Sequence, residues 1–402
     1  MNNVKLDFPI LDKKIRDKTI TYLDSAASTQ KPKQVIHSIS EFLENSYENV
    51  HRGMNSLSID ATDLYEKSRD VAKSFINANS TNEIIFTRGA TDSINIIANS
   101  LAEHLKKGDK IVVTELEHHS NYLPWMHLCK KLELELKIIP ISKEGILSED
   151  EIINNCDDTT KVLSLTHMSN VTGQILDIKK IKSEIKNDIY VAVDGCQSIA
   201  HLNIDVKDLD CDFYSFSSHK LYGPSGIGIM YGKENILDKL NPPTLGGGMI
   251  NEVSSNDFSY AMLPNKFEPG TPSIEAAIGF KAAMEYLNSI NYQDYFSKEK
   301  KLRSTLISAL NEFDEIEIYG ANDNGDATSI VSFNIKNQNF NDIATFLDQY
   351  GIMIRGGHHC CQPFMKKLGI PGSCRVSFGI YNDSNDIDHF VDSMKKTLKL
   401  LQ

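Results

Sequence analysis

The most chemically loaded stretch of the chain is "IRGGHHCCQP", Ile354 to Pro363. Gly356 through Cys361 there set two glycines, two histidines and two cysteines in succession. Three chemistries fit such a run: a metal site, a vicinal disulfide, or a loop carrying a nucleophilic thiol. His358, His359, Cys360 and Cys361 are adjacent, whereas familiar zinc patterns space their ligands so that they can converge on one tetrahedral ion. A Cys360–Cys361 disulfide would be strained. A nucleophilic loop needs pliable backbone, which Gly356 and Gly357 supply. It also needs cationic neighbours such as Arg355 and the histidines to favour the thiolate.

A second chemical group is an amine. In "FYSFSSHKLYGPSGIGIMY" an apolar run ends at Ser217, Ser218, His219 and Lys220 follow, and a Gly/Pro-rich turn leads into another apolar run. A surface lysine is the plain reading, but a lysine hemmed between two core strands is poorly explained by it. A desolvated lysine amine can form a Schiff base. In "IYVAVDGCQS" an apolar strand ends in Asp194, 26 residues before Lys220. A carboxylate there points into the ligand crevice at the carboxyl ends of parallel strands, or it caps a helix. In "IIFTRGATDSINIIANSLAEHL" a strand, a turn and a helix start follow one another. That is an anion-binding arrangement with Thr91 to add a hydroxyl, or an ordinary Thr-capped turn. Taken together the three describe a pyridoxal phosphate site, with an amine for the aldehyde, a carboxylate for the pyridinium nitrogen and a helix N-terminus for the phosphate.

These groups need a scaffold. Near-continuous apolar runs at Glu83–Thr87, Lys110–Glu115, Leu136–Ile141, Lys161–His167, Ile189–Asp194, Cys211–Ser217 and Gly226–Gly232 predict strands buried on both faces. The segments between the first six have room for crossover helices, which gives an α/β fold with a mostly parallel sheet. After "AAIGFKAAMEYLNSI" a second α/β section is expected, with strands near Ile316–Tyr319, Ser329–Asn334, Ile352–Arg355 and Arg375–Phe378. The division expected is a large cofactor-binding domain over residues 21–275, and a smaller one of residues 1–20 with 276–402 that carries the cysteine loop. The chain of 402 residues is long enough for both.

Composition narrows the function. Asp plus Glu number 54 against 42 Lys plus Arg, a net charge of −12, which speaks against nucleic acid as a partner. No apolar run reaches the ~20 residues of a membrane span, and the N-terminal stretch reads as neither a secretory signal nor a transit peptide. Seven cysteines without a CxxC pair suit a reducing, cytoplasmic setting.

With these residues in hand, the sequence resembles the SufS-type (group II) cysteine desulfurases, class V enzymes of pyridoxal phosphate fold-type I. The likeness runs from "YLDSAASTQKP" through "VHRGMNSLS", "EHHSNYLPW", "THMSNVTG", "VDGCQS", "SSHKLYGP", "LGGGMI" and "FEPGTPS" to "RGGHHC" and "CRVSFGIYN". It implies that Lys220 forms the Schiff base, that Asp194 pairs with the ring nitrogen, and that Gln197 bonds the phenolic oxygen. It gives the phosphate to Thr91, Ser217 and His219, with Thr271 reaching the phosphate of a neighbouring subunit in a homodimer. His118 would stack on the ring and move protons, Asn170 would sit beside the cofactor near the substrate carboxylate, and Arg375 would pair with that carboxylate. His51, Arg52 and Arg355 would line the pocket mouth, with no metal involved. Cys360 would be the nucleophile that takes sulfur from L-cysteine as a persulfide, leaving L-alanine, for iron–sulfur cluster assembly. The alternative activity is selenocysteine lyase. Relatives commonly carry alanine after that cysteine, so Cys361 is an extra thiol, either inert or able to attack the persulfide. The sulfur would pass to an acceptor protein. Relatives served by a zinc-bound SufU-type acceptor carry histidine where this chain has Asn341, which tilts the expectation toward a SufE-type acceptor.

Overall fold

A computed structural model of the chain describes residues 4–186, 188–290, 292–320 and 327–401. Seven strands form its main sheet: β1 (Ile84–Thr87), β2 (Lys110–Thr114), β3 (Glu135–Ile139), β4 (Thr160–Thr166), β5 (Tyr190–Asp194), β6 (Phe213–Ser217) and β7 (Gly228–Gly232). Their spatial order is β1-β7-β6-β5-β4-β2-β3. Every residue of β1, β2, β6 and β7 is buried, the burial that their unbroken apolar runs require. Only β7 runs against its neighbours, pairing antiparallel with both β1 and β6.

That one reversal positions the site. Gly228 lies across from Thr87 on one side and from Ser217 on the other, so the carboxyl ends of β1 and β6 reach one rim of the sheet. Asp194, at the end of β5, is abreast of Ser215 on β6. The rim is crowded enough that a Cβ on Gly228 would stand 2.6 Å from Gly89 Cα. Crossover helices follow β1 (Ala90–Leu101), β2 (Leu123–Leu132), β3 (Glu149–Asn154) and β4 (Ile178–Glu184). Large apolar clusters sit on the sheet, one of them including Phe86, Val112, Leu163, Val191 and Tyr214.

A second, antiparallel sheet holds β8 (Ile316–Tyr319), β9 (Ile330–Ile335), β10 (Arg355–Gly357) and β11 (Ser373–Ser377), in the order β8-β9-β11-β10. Helices Tyr292–Leu310, Phe340–Asp348 and Ser384–Leu401 pack around it on an apolar cluster that includes Leu306, Phe333, Leu347 and Phe390. The strand expected at 352–355 divides in two. Ile352–Met353 pairs in parallel with Thr21–Tyr22, while Arg355–Gly357 turns into the antiparallel sheet against Ser373–Arg375. The N-terminal segment is tied to this half again by Lys5 to Asp386 at 2.9 Å and by an ion pair of Arg16 with Asp348. Among the described residues no helix is long and apolar enough to cross a membrane.

Candidate active site

The two sheets meet around a cavity of about 370 Å³. Lys220, at the end of a single 3-10 turn (Ser218–Lys220) that follows β6, stands half-buried in its wall. Thr91, His118, Asn170, Asp194, Ser217 and His219 line it from the main sheet side. Arg355, Cys360 and Arg375 line it from the antiparallel sheet and its following loop.

One end of the cavity suits an anion. Helix Ala90–Leu101 starts at Gly89, whose φ of +144° is a conformation open to glycine. The first turn of a helix leaves its N–H groups without intrahelical acceptors. The Ala90 N–H donates to Ser217 Oγ at 2.8 Å, and among the described residues those of Thr91 and Asp92 donate to nothing in the chain. Thr91 Oγ1 lies 2.7 Å from Ser120 Oγ. His219, beside them, is pushed down to about 4 by burial and by the nearby Lys220 and Lys31 charges, so its imidazole is neutral.

The opposite wall is cationic. Arg375 is only 2% exposed, its Nη2 donating to Asp24 Oδ1 at 2.9 Å and its Nη1 to the Asn170 carbonyl at 3.0 Å. Its Nε is buried with no partner among the described residues, and burial lowers its pKa. Asp24 also accepts from Arg355 Nε at 3.1 Å, so one carboxylate orients both arginines. Asn170 is held in turn, its Nδ2 donating to the His359 carbonyl at 2.7 Å.

His118 caps the turn after β2, its Nδ1 accepting from the Ser120 N–H at 3.1 Å. Burial first, then the charges of Lys220, His119 and Arg375, push it down to about 3. A neutral ring whose Nδ1 accepts carries its proton on Nε2.

The ligand-like side chains of the 358–361 run diverge. His359 is buried and donates from Nε2 to the Ser373 carbonyl at 3.0 Å. Cys360 is exposed, and its carbonyl accepts from the His119 N–H at 2.7 Å. Cys361 is fully buried, its thiol 3.4 Å from the Glu117 carbonyl, and burial drives its pKa far up. Gly356 and Gly357 are not a slack hinge. They pair with Cys374 and Ser373, a Cβ on Gly356 would stand 2.9 Å from the Phe340 carbonyl oxygen, and Gly357 has a φ of +141°. Left-handed backbone at His359 and Cys360, with φ of +52° and +53°, follows, and Cys360 stands both exposed and at the cavity wall.

Residues 21–390 match the model of the aminotransferase class-V family. The chain belongs to the aminotransferase class-V family. Among members similar to it is a probable cysteine desulfurase of Staphylococcus epidermidis, 43% identical over 393 residues, 97% of this chain and 95% of that protein. A probable cysteine desulfurase of Staphylococcus aureus is 42% identical over 399 residues, 99% of this chain and 96% of the other. Among solved structures, the apo cysteine desulfurase of Thermococcus onnurineus superposes with a TM-score of 0.94 at 36% identity, covering 99% of this chain and 98% of its own. The cysteine desulfurase CsdA of Escherichia coli gives 0.91 at 33%, covering 100% and 99%.

The cavity fits the pyridoxal phosphate of class V enzymes on its own observations. Asp194 is a carboxylate only 5% exposed, its Oδ1 accepting from the Cys196 N–H at 3.0 Å, and no cation pairs with it among the described residues. Buried carboxylates are ordinarily paired, and a pyridinium would complete this one. The open N–H groups at Thr91 and Asp92 suit a phosphate.

Four residues singled out from the sequence stand elsewhere. Gln197 is buried behind the wall, donating to the Ala26 carbonyl at 2.9 Å. Thr271 lines a separate cavity of about 350 Å³ with Arg88 and Glu268. His51 and Arg52 are exposed, with His51 Nε2 2.9 Å from Glu66 Oε1, and neither lines the lysine cavity of its own chain. Asp24, in contrast, was not singled out. The only local sign of it is its place after the short strand in "YLDSAAS".

Proposed function

We propose that the chain is a pyridoxal phosphate-dependent cysteine desulfurase that converts L-cysteine to L-alanine and keeps the sulfur as a persulfide on Cys360. The observation that carries this reading is one cavity lined by an amine, Lys220, a buried arginine, Arg375, and an exposed thiol, Cys360. Transamination on the same fold has no use for a thiol there. Selenocysteine cleavage breaks a weaker bond and needs it less, so the thiol favours cysteine as the substrate.

When bound, pyridoxal phosphate supplies the electron sink that loosens the substrate's α-proton and its Cβ–S bond. Lys220 Nζ holds the cofactor at rest and moves the α-proton. Asp194 keeps the ring nitrogen protonated, and Gln197, reached from behind the wall, bonds the phenolic oxygen. Thr91, Ser217, His219 and the helix N-terminus hold the phosphate. His118 stacks on the ring and offers Nε2 for proton movement. Arg375 presents its unpartnered Nε edge to the substrate carboxylate, with Asn170 beside it. The Cys360 thiolate attacks the substrate sulfur. A sulfur–sulfur bond forms as the Cβ–S bond breaks, and the three-carbon fragment takes up a proton to leave as alanine.

Thr271, His51 and Arg52 lie apart from the lysine cavity of their own chain, which supports a homodimer in which Thr271 serves the neighbouring subunit's phosphate and the other two, with Arg355, line a pocket mouth. Residues 21–275 make the large domain, and residues 1–20 with 276–402 the smaller one. The enzyme works in the cytoplasm and feeds iron–sulfur cluster assembly. Asn341 is exposed at the start of helix Phe340–Asp348, and the absence of histidine there favours a SufE-type acceptor over a SufU-type one.

The test is alanine and sulfide production from L-cysteine, with each acceptor type and with neither, in wild type, Lys220→Ala and Cys360→Ser. Wild type should make alanine, faster with the SufE-type acceptor, and both variants should lose it. Alanine at the wild-type rate in Cys360→Ser, with selenocysteine preferred over cysteine, would move the assignment to selenocysteine lyase.

A further inference from the structure

The carbonyl oxygen of His219, which belongs to the peptide unit joining His219 to Lys220, lies within hydrogen-bond distance of four donors. Thr29 approaches it with its N–H and its Oγ1, both at 3.0 Å, Ser28 Oγ at 3.2 Å and Lys31 Nζ at 3.0 Å. A carbonyl oxygen has two lone pairs, so this one stands in a field of more donors than it can fully accept. All four come from one short segment, Ser28–Lys31, which joins the cavity region from the far end of the chain. Thr29 Oγ1 also accepts from the Tyr222 N–H at 2.8 Å. The same side chain therefore grips the backbone on both sides of Lys220.

Lys31 is the unusual member of the set. Its ammonium is half-buried, and among the described residues it has no carboxylate partner. It donates instead to two carbonyls, that of Thr29 at 2.6 Å and that of His219. A lysine withdrawn from water is ordinarily paired with an acid. Burial brings this amine down to about 8, in keeping with a charge that has left water without a counterion. A charged donor makes a hydrogen bond about twice as strong as a neutral one, so Lys31 is the strongest hold on the His219 carbonyl.

We propose that Lys31 is a positioning residue for Lys220: its ammonium, with Ser28 and Thr29, fixes the His219–Lys220 peptide and so the point from which the Lys220 amine enters the cavity. Lys31 touches neither substrate nor reacting atoms in this reading, and it acts only through the backbone. The inference rests on the assignment of Lys220 as the cofactor lysine.

The test compares wild type, Lys31→Met, Lys31→Arg and Thr29→Val. Cofactor-free protein is titrated with pyridoxal phosphate, the visible band of lysine-bound cofactor is followed in time, and melting temperatures of the cofactor-free forms are taken alongside. Lys31→Met should slow band formation by up to about a hundredfold, the scale of a ~1 Å misplacement of a reacting group, and lower kcat with little change in KM. Its melting temperature should hold, because replacing a desolvated charge by an apolar isostere is often neutral for stability. Lys31→Arg, which restores a charged donor, should recover part of the rate, and Thr29→Val should shift it in the same direction as Lys31→Met. Wild-type band formation in Lys31→Met overturns the proposal. So does a melting temperature that falls in step with the rate in both Lys31→Met and Thr29→Val, which marks a merely structural contact. Borohydride trapping followed by peptide mapping separates the two levels: cofactor fixed to a lysine other than Lys220 refutes the site assignment itself, whereas cofactor on Lys220 at an unchanged rate refutes only the role of Lys31.

Discussion

Asp24 Oδ1 accepts a 2.9 Å hydrogen bond from Arg375 Nη2 across 351 positions of sequence. The guanidinium is buried, and among the described residues this carboxylate is its only acidic partner. Because Asp24 holds the Nη2 corner and the Asn170 carbonyl holds Nη1, the Nε edge is the part left for a ligand.

Asp24→Asn should therefore weaken substrate binding more than it harms the chemical step. Losing one partner of a buried charge pair costs roughly 2 kcal/mol or more, so KM for L-cysteine should rise about thirtyfold. Steady-state kinetics decides it: an unchanged KM beside a lowered melting temperature would make the pair purely structural.

The two adjacent cysteines should behave as different residues. Cys360 is exposed, whereas Cys361 is sealed with its thiol on backbone carbonyls. Iodoacetamide on the native protein should label Cys360 and spare Cys361. Cys361→Ala should form cysteine-dependent persulfide close to the wild-type rate, and Cys360→Ser should form none. Mass spectrometry of tryptic peptides reads both, and a persulfide found on Cys361 would reverse the assignment.

Glu117, one residue before His118, is fully buried and raised to about 8 by burial. It accepts from Thr114 Oγ1 at 2.8 Å and from Asn121 Nδ2 at 2.7 Å, with no cation bonded to it among the described residues. The folded chain thus keeps a proton that the unfolded chain releases near the ordinary carboxylate value. Its contribution to stability is complete below about pH 4.3 and declines as pH rises to about 8. Glu117→Gln should be more stable than wild type at pH 9, and the difference should vanish by pH 4. Thermal melts across that range test the sign, and a gap that widens toward acid contradicts it.

Two buried histidines act in the other direction. Burial pushes His167 down to about 4 and His359 to about 2. Both are neutral in the fold, while in the unfolded chain each takes a proton below about 6.5. Stability should be full above that pH and fall on acidification by about 1.4 kcal/mol per pH unit for each histidine. Urea midpoints between pH 7 and pH 5 should show that slope, and His167→Gln should remove about half of the part due to this pair. An equal slope in the variant would place the acid sensitivity elsewhere.

Much of the site is legible without coordinates. Asp194 and Ser217 end apolar strands, Lys220 follows the second within three residues, and buried parallel strands open their ligand crevice at their carboxyl ends. The reading of Gly356 and Gly357 as a hinge went astray because local composition does not reveal pairing. Both are committed to β11, and Gly356 also to close approach to Phe340. His51 and Arg52 left no local sign that they lie away from their own chain's lysine cavity.

The amino-acid order by itself determined the βα rhythm, the strand ends that carry Asp194 and Lys220, and the presence of a thiol suited to sulfur transfer. These rest on hydrophobic period and side-chain chemistry, which are properties of neighbours in sequence. Only the tertiary structure decided which of two adjacent cysteines faces solvent, that Asp24 holds Arg375, and that Lys31 grips the peptide before Lys220. Burial and hydrogen-bond partnership at those positions are set by residues that the fold brings from roughly 190 to 350 positions away, a distance across which no local pattern carries information.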